Sequence, residues 1–349
     1  MGNPLIWVSL CARVRIANEA LNMIESIGNY VRKRRAPIPI LRGGGYTTEY
    51  VPAISGESMA HAWQEWIAYI AMNKGLKVCE DCAIGYLIKQ GNRTGKISNP
   101  DEFEKERVLN CVVEDVGGFL APTDPPVKRT SRIYTGYVIP SLVDLEAATI
   151  EPQMHARHAP PSKMAQQREV REQMIYVTET ASAVYAMTFG IDITGIGRYS
   201  YVSQGLVMSL NEKKKRAETV IEALYQIVGQ GMFGAKRTRF DPQYMVESLV
   251  AAVSIGIVFN TSPPHNLSYI KETVEKTKRV LEFMSLKPLE IIIYSYVSEN
   301  DRRRGIVVPE NCEVKVDDKK LTFNNVASVE EMFARIKQIV LEAIDRFEK

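Results

Sequence analysis

The sharpest chemical spacing in this 349-residue chain is Cys79-Glu80-Asp81-Cys82, with Cys111 further along. Two thiolates at CxxC spacing can share one Zn²⁺, and Cys111 together with His61 would complete four ligands. Zinc is the one cofactor the sequence suggests. One pair plus a third cysteine is half of a double CxxC, so the thiols also read as ordinary small buried hydrophobes. A thioredoxin-like redox role fits poorly. No βαβ pattern surrounds the pair, and the acidic Glu80 and Asp81 between the sulfurs would raise a thiol pKa.

A second group is Gln153, His155, Arg157 and His158. HxxH spacing could serve a metal or acid–base chemistry, but the Glu of an HExxH motif is missing. No Ser or Cys nucleophile signature lies nearby. Imidazole and guanidinium groups also stack on bases and contact phosphates, and plain surface histidines are the third reading. The carboxylates Glu57, Glu114, Asp115, Asp144 and Asp192 show no spacing that singles out an acid–base couple.

Phosphate chemistry has two candidate sites. Arg32, Lys33, Arg34 and Arg35 are four consecutive cations bounded by Pro37. Near them Asn18, Asn22, Asn29, Tyr30, Ser55 and Ser58 can hydrogen-bond sugars, phosphates and base edges. A basic loop beside a sheet displaces counterions from a phosphate backbone without reading sequence; a solvated charge run is the bland alternative. The second candidate is GQGMFGAKRTRFDP, Gly229 to Pro242. Its glycines would let backbone N–H groups approach a phosphate closely. Lys236, Arg237 and Arg239 add charge, and Phe233 or Phe240 could stack on a base. A C-cap glycine followed by a cationic loop explains the same letters. The GKS or GKT ending of a Walker motif is absent, which argues against a nucleoside triphosphatase.

These groups need a scaffold, and the composition allows one. Hydrophobic residues make up 45% and charged residues 24%, values of a chain that buries a core. The net charge of +3 excludes a polycation, so nucleic-acid affinity must come from local clusters. Besides Arg32–Arg35 and the Lys236 group, these are Lys128/Arg129/Arg132, Lys213–Arg216 and Arg302–Arg304, which predict a basic face. No apolar run reaches the roughly 20 residues that span a bilayer, and no secretory signal opens the chain. Five sparse cysteines fit a reducing, cytoplasmic compartment.

Alternation predicts strands near Ile6–Ile16, Glu49–Ser55, Ile175–Ile193, Met245–Phe259 and Leu289–Val297, and a hairpin near Glu313–Phe323. Helical spacing predicts Glu57–Asn73, Lys213–Gly229, Asn266–Met284 and Val329–Phe347, the last with a Ser328/Glu331 capping box. Residues 74–125 read as a polar, partly helical insertion. Residues 139–173 read as a second one without clean periodicity, of the kind that is functional or mobile. The expected architecture is an α+β sheet-and-helix core with two large excursions, in one domain spanning 1–349.

The blocks EALNMIESIGNYVRKRRAPI, VPAISGESMAHAWQEWIAYIAMNKG, VCEDC, NCVVEDVGGFL and GAKRTRF occur together and in order. In this the chain resembles the Cas-seven (DevR) family of RAMP proteins, the family of the backbone subunit of archaeal CRISPR type I-A Cascade. The resemblance covers most of the chain. It implies an RRM-like (ferredoxin-like) palm, with 74–125 as finger and 139–173 as thumb. It implies a non-catalytic subunit that polymerises along a CRISPR RNA and presents it to target DNA. Partners would be further copies of the chain, other Cascade subunits and a helicase–nuclease, with no membrane. Carried over residue by residue, the palm contacts are Asn18, Asn22, Asn29, Arg32, Lys33, Arg34, Arg35, Ser55, Ser58 and His61. Those of the thumb are Gln153, His155 and Arg157, and those of the glycine-rich loop Lys236, Arg237 and Arg239. The loop Asp with which a related backbone subunit cuts RNA has no confident match. Two other readings stay open: an endoribonuclease that processes CRISPR repeat RNA, and a DNA-binding regulator of the DevR kind.

Overall fold

Strand β1 (Ile6–Glu19) is the spine of the molecule. Its sequence alternates so that Ile6, Val8, Leu10, Ala12, Val14 and Ile16 share one face, and Trp7, Ser9, Cys11 and Arg13 the other. Both faces are buried. The computed structural model describes residues 3–157, 174–200 and 205–348.

After β1 come β2 (Met23–Ile27), β3 (Tyr30–Lys33) and a hairpin of β4 (Arg35–Arg42) with β5 (Gly45–Pro52). Helix α1 (Gly56–Asn73) follows, then the short α2 (Glu80–Ala83), α3 (Pro100–Asn110) and α4 (Val112–Gly117). Short strands β6 (Phe119–Ala121), β7 (Val127–Arg129), β8 (Ile133–Thr135) and β9 (Ile139–Pro140) lead to a 3₁₀ turn over Leu142–Ala147. The long strands β10 (Thr149–Arg157) and β11 (Met174–Asp192) pair antiparallel. Then come α5 (Leu210–Val228), β12 (Gln243–Ile255), α6 (Tyr269–Phe283), β13 (Leu289–Val297) and α7 (Glu299–Arg303). The chain closes with β14 (Cys312–Val316), β15 (Lys319–Asn325) and α8 (Val329–Phe347).

The main sheet runs β14-β15-β13-β12-β1-β11-β3-β2, with β8, β9 and β10 also pairing to β11. β1 is antiparallel to both neighbours, β11 and β12. Helices α1, α5 and α8 cover the even-numbered face of β1 in one apolar core. Trp63 anchors this layer: its ring meets Phe189 edge-on at 5.7 Å, and its indole N–H donates to Val220 O at 3.0 Å. Full burial of such a ring is worth a few kcal/mol, at roughly 25 cal/mol per Å². On the opposite face α6 covers β12, β13 and β15 with Tyr269, Ile270, Val274 and Leu281. The result is a mixed α+β layer structure, as expected. The capping box of α8 forms in modified shape: Ser328 Oγ accepts from Glu331 N at 3.1 Å, while Glu331 accepts from Ala327 N at 3.0 Å.

Two sequence expectations need correction. The Arg32–Arg35 segment is not a loop. Arg32 and Lys33 end β3, and Arg35 opens β4. Pro37 and Pro39 lie on the exposed side of β4, in a two-stranded edge hairpin where the missing N–H is tolerated. The described part of 139–173 is also regular, with β9, the 3₁₀ turn and β10. Periodicity is missing there because Glu151 to Met154 are all exposed, so nothing selects an apolar face. Residues 158–173, with His158, lie outside the described residues.

Candidate nucleic-acid interface

At its C-terminal end β1 leaves its regular pairing. The β1–β11 register shifts between Ile16 and Glu19, and Asn18 takes a left-handed backbone (φ 55°). Asn tolerates that conformation better than most residues. Asn18 is exposed, and its N–H donates to Ser182 Oγ at 2.9 Å. The next residue, Glu19, is fully buried and accepts from Tyr185 OH at 2.6 Å, from Leu21 N at 2.9 Å and from the Lys33 ammonium. Burial pushes the Lys33 pKa down, and the Glu19 carboxylate opposes this. Lys33 is 0% exposed. The predicted phosphate ligand is therefore an internal strut that fixes the 18–22 bend.

The glycine-rich loop packs directly on that bend. A Cβ on Gly234 (φ +79°) would come within 2.7 Å of Leu21 Cβ and 2.8 Å of Leu21 O. Ala235 N donates to Leu21 O at 2.8 Å. A Cβ on Gly231 (φ +62°) would meet the Tyr244 ring at 2.6 Å. These glycines thus serve close packing within the fold, and Phe233, 2% exposed, is core instead of a stacking platform. The cations of the loop face outward to different degrees. Arg239 is exposed, Lys236 (φ 58°) is half-buried, and Arg237 is held by Gly231 O and by Asp241 at 2.6 Å.

The β10–β11 arm reaches the same place. His155 stacks on Tyr176, its cross-strand partner, at 4.9 Å and meets Phe240 edge-on at 5.6 Å. Its Nε2 is buried without a hydrogen-bond partner. Gln153, two residues back on the same strand, is exposed. Arg157 ends β10, and its side chain is not among those described. Asn29 Nδ2 donates to Ile175 O at 2.8 Å, and β3 runs parallel to β11 at Val177 and Thr178. Glu179, buried on β11, accepts from Tyr30 OH at 2.9 Å, Arg35 at 3.0 Å and Lys33 N at 2.8 Å. Arg32 pairs with Glu25 at 2.9 Å on the exposed β2–β3 ladder. Asn22 accepts from Ser55 N at 2.9 Å, and its carbonyl from Arg34 N at 2.9 Å. Segments 18–35, 153–155 and 231–240 thus form one connected region through named contacts.

Residues 10–274 match the family model described as CRISPR-associated negative auto-regulator DevR/Csa2. The chain belongs to this family. Among its curated relatives is a CRISPR-associated protein Cas7/Csa2 from Saccharolobus solfataricus, 34% identical over 279 residues, covering 78% of this chain and 84% of the relative. A second from the same organism, a CRISPR-associated aCascade subunit Cas7/Csa2, is 35% identical over 324 residues, covering 88% and 95%. Among solved structures, a chain of a CRISPR RNA-guided surveillance complex (pre-nicking) superposes with a TM-score of 0.54 at 9% identity. That match spans 96% of this chain and all of the other, and it is a likeness of fold.

Packing in this DevR/Csa2 chain gives several of the expected contact residues other roles. Ser55 is 3% exposed and caps α1, accepting from Ser58 N at 3.2 Å, so its hydroxyl is used within the fold. His61 points outward on α1, where it pairs with Glu65 at 3.3 Å, and it does not join the thiols. Two of the cationic clusters are largely internal. Arg129 and Arg216, both buried, clamp the two oxygens of Asp115 at 2.5 and 2.8 Å, while Arg129 also holds Glu104 at 2.9 Å. Lys213 pairs with Glu348 at 2.7 Å, and burial pulls its pKa down to about 8. The residue the sequence reading missed is Tyr176, whose place opposite His155 only the strand register reveals. Cys79, Cys82 and Cys111 do converge, with sulfurs within 4.8 Å of one another. Among the described residues, no helix is long and apolar enough to cross a membrane.

Proposed function

We propose that this chain is a non-catalytic CRISPR RNA-binding backbone subunit of an archaeal, cytoplasmic Cascade-type surveillance complex. It polymerises along the guide and presents it for pairing with target DNA. The observation that carries this reading is the seating of Gly234 on the β1 bend at Leu21, to which Lys33–Glu19 ties β3 and, through the same loop, His155–Phe240 ties the β10–β11 arm. Arg32, Arg34, Arg35, Lys236 and Arg239 supply backbone contacts there, Asn18, Asn22, Asn29 and Gln153 polar ones, and His155 with Phe240 a stacking pair. Holding a guide by its backbone leaves its bases free to read a target.

In this reading the α1- and α5-backed centre of the sheet is the RRM-like palm. Residues 74–125 are its finger, and 139–173 its thumb, with Arg157 among the thumb contacts. The partners are further copies of the chain, other Cascade subunits and a helicase–nuclease. Successive copies would meet through heterologous, non-closing contacts. Against an endoribonuclease, Asp192 is tied to Arg132 at 3.1 Å and Asp241 to Arg237 at 2.6 Å, and His155 contacts aromatic rings instead of a carboxylate. The regulator reading follows the wording of the family description.

Native mass spectrometry of the purified full-length protein, with and without a CRISPR RNA, separates these readings. A ladder of RNA-bound multimers is expected. A discrete RNA-free dimer that binds duplex DNA would replace the proposal with the regulator. RNA cleavage in Mg²⁺ that is lost with His155→Ala would replace it with the nuclease.

A further inference from the structure

The three thiols lie where the segment after α1 turns into α2 and where α4 begins. Their sulfurs are all within 4.8 Å of one another, and no disulfide joins any of them. Cys82 and Cys111 are each 1% exposed, whereas Cys79 is only partly buried. Cys79 and Cys111 cap the first turns of α2 and α4, which brings the two helix starts and their thiols together. Three sulfurs on one Zn²⁺, at about 2.3 Å each, sit about 3.8 Å apart in a tetrahedron. The cluster is therefore within roughly 1 Å of that spacing. A disulfide would use two of the three and leave the third without a role.

The fourth position has a candidate next to the cluster. Glu114 is on the first turn of α4, which Cys111 caps, and it is 1% exposed. Its carboxylate is held away by Gln90 Nε2 at 2.7 Å. Lys89 lies beside it, its ammonium donating to Gln64 Oε1 at 2.7 Å and Gly117 O at 2.9 Å, within the field of Cys82, Cys111 and Glu114. Lys89 and Gln90 both have left-handed backbones (φ 47° and 67°), a conformation that residues with a Cβ rarely adopt. That turn brings the Lys89 ammonium to Gly117 O and the Gln90 amide to Glu114, at the two ends of α4.

We propose that Cys79, Cys82 and Cys111 bind one zinc ion, with the Glu114 carboxylate rotating off Gln90 to complete a tetrahedral site. Three thiolates and one carboxylate around Zn²⁺ carry a net charge of −2, and Lys89 offsets part of it. All four positions are filled by protein, so the site is structural. It staples the CxxC segment to α4, beside the hydrogen bond from Val112 N to Lys77 O at 3.0 Å. This inference concerns the insertion and stands apart from the RNA reading.

The test uses the full-length protein. Metal analysis should return close to one zinc per chain, and Co²⁺ exchange should give thiolate-to-cobalt charge transfer with the strong visible bands of a tetrahedral ion. Competition with a chromophoric chelator should show zinc affinity falling at least about 100-fold in Cys111→Ser and about 10-fold or more in Glu114→Gln, with Cys312→Ser unchanged. If Cys111→Ser fails to fold, protection of the wild-type thiols from a thiol reagent by added zinc serves instead. A zinc-reloaded protein with no bound metal and all thiols freely titratable would overturn the site. An unchanged affinity and cobalt spectrum in Glu114→Gln would overturn the assignment of the fourth ligand.

Discussion

Two groups of cations look alike in the sequence and live in opposite environments. Around Asp115, Arg129 and Arg216 are sealed inside the protein, each guanidinium aimed at one carboxylate oxygen. Around the glycine-rich loop, Arg239 faces water and Lys236 is half-exposed. The difference is made by partners far away in the chain. Lys33 goes inward because Glu19 waits there, and Lys213 because Glu348 does. A buried ion pair contributes less to net stability than its Coulomb energy suggests, but removing one partner strands the other charge. The inward cations are therefore tests of folding, and the outward ones are tests of binding.

The sharpest way to break this contrast is Asp115→Ala. Two buried guanidinium groups would lose their carboxylate, and urea unfolding should show a loss of about 3–5 kcal/mol. The pH dependence has a defined sign. Burial pushes the Asp115 pKa up, but Arg129 and Arg216 outweigh it and hold the folded value below the usual carboxylate range. The stability from this pairing is thus present above the unfolded Asp pKa of about 3.9 and is lost as pH falls through the depressed folded value. A wild-type acid limb identical to that of Asp115→Ala would refute the network.

Next in size is Lys33→Ala, which should cost about 3 kcal/mol in the same assay because Glu19 is left unpaired. Its salt dependence of RNA binding, measured at a temperature where the variant is folded, should match wild type. A shallower slope would return Lys33 to the phosphate contacts. His155→Ala should weaken single-stranded RNA binding by about 1–3 kcal/mol through loss of one stacking surface, without moving the urea midpoint by more than about 0.5 kcal/mol. The smallest effect belongs to the outward cations. The double change Lys236→Ala/Arg239→Ala should reduce the slope of log K against log salt by about 0.7 per lost contact. An unchanged slope would make both residues mere solvated charge.

How much of this was legible depends on burial. β13 and α8 match their predicted spans because each has one buried face that imposes a period on the letters. β2 and β10 were not read as strands because almost nothing on them is buried, so ladder hydrogen bonds alone define them. In the proposed interface, Asn18, Asn29 and Arg239 are exposed, as their residue types predict. Ser55 and Lys33 were misassigned, since a cap and a strut use the same atoms as an RNA contact. What separates the two is a partner's position, Ser58 N or Glu19, and that is fixed only by the tertiary fold. The zinc half-signal was legible in the CxxC, whereas Glu114 became a ligand candidate only through its place on α4.

The central strand has a consequence during synthesis. β1 is made first, yet Ile16 lies opposite Tyr244 on one side and Ala183 on the other. Until residues near Asp192 have left the ribosome, an apolar strand of 14 residues has both edges unpaired, and its second edge waits for residues near Ile255. Such edges invite wrong partners, and pairings this distant in sequence form slowly. The seat of the glycine loop on the bend at Asn18 needs residues 231–235, so the two segments meet only after α5 has been made. In the reading proposed above, the surface made by these segments is therefore completed only late in synthesis.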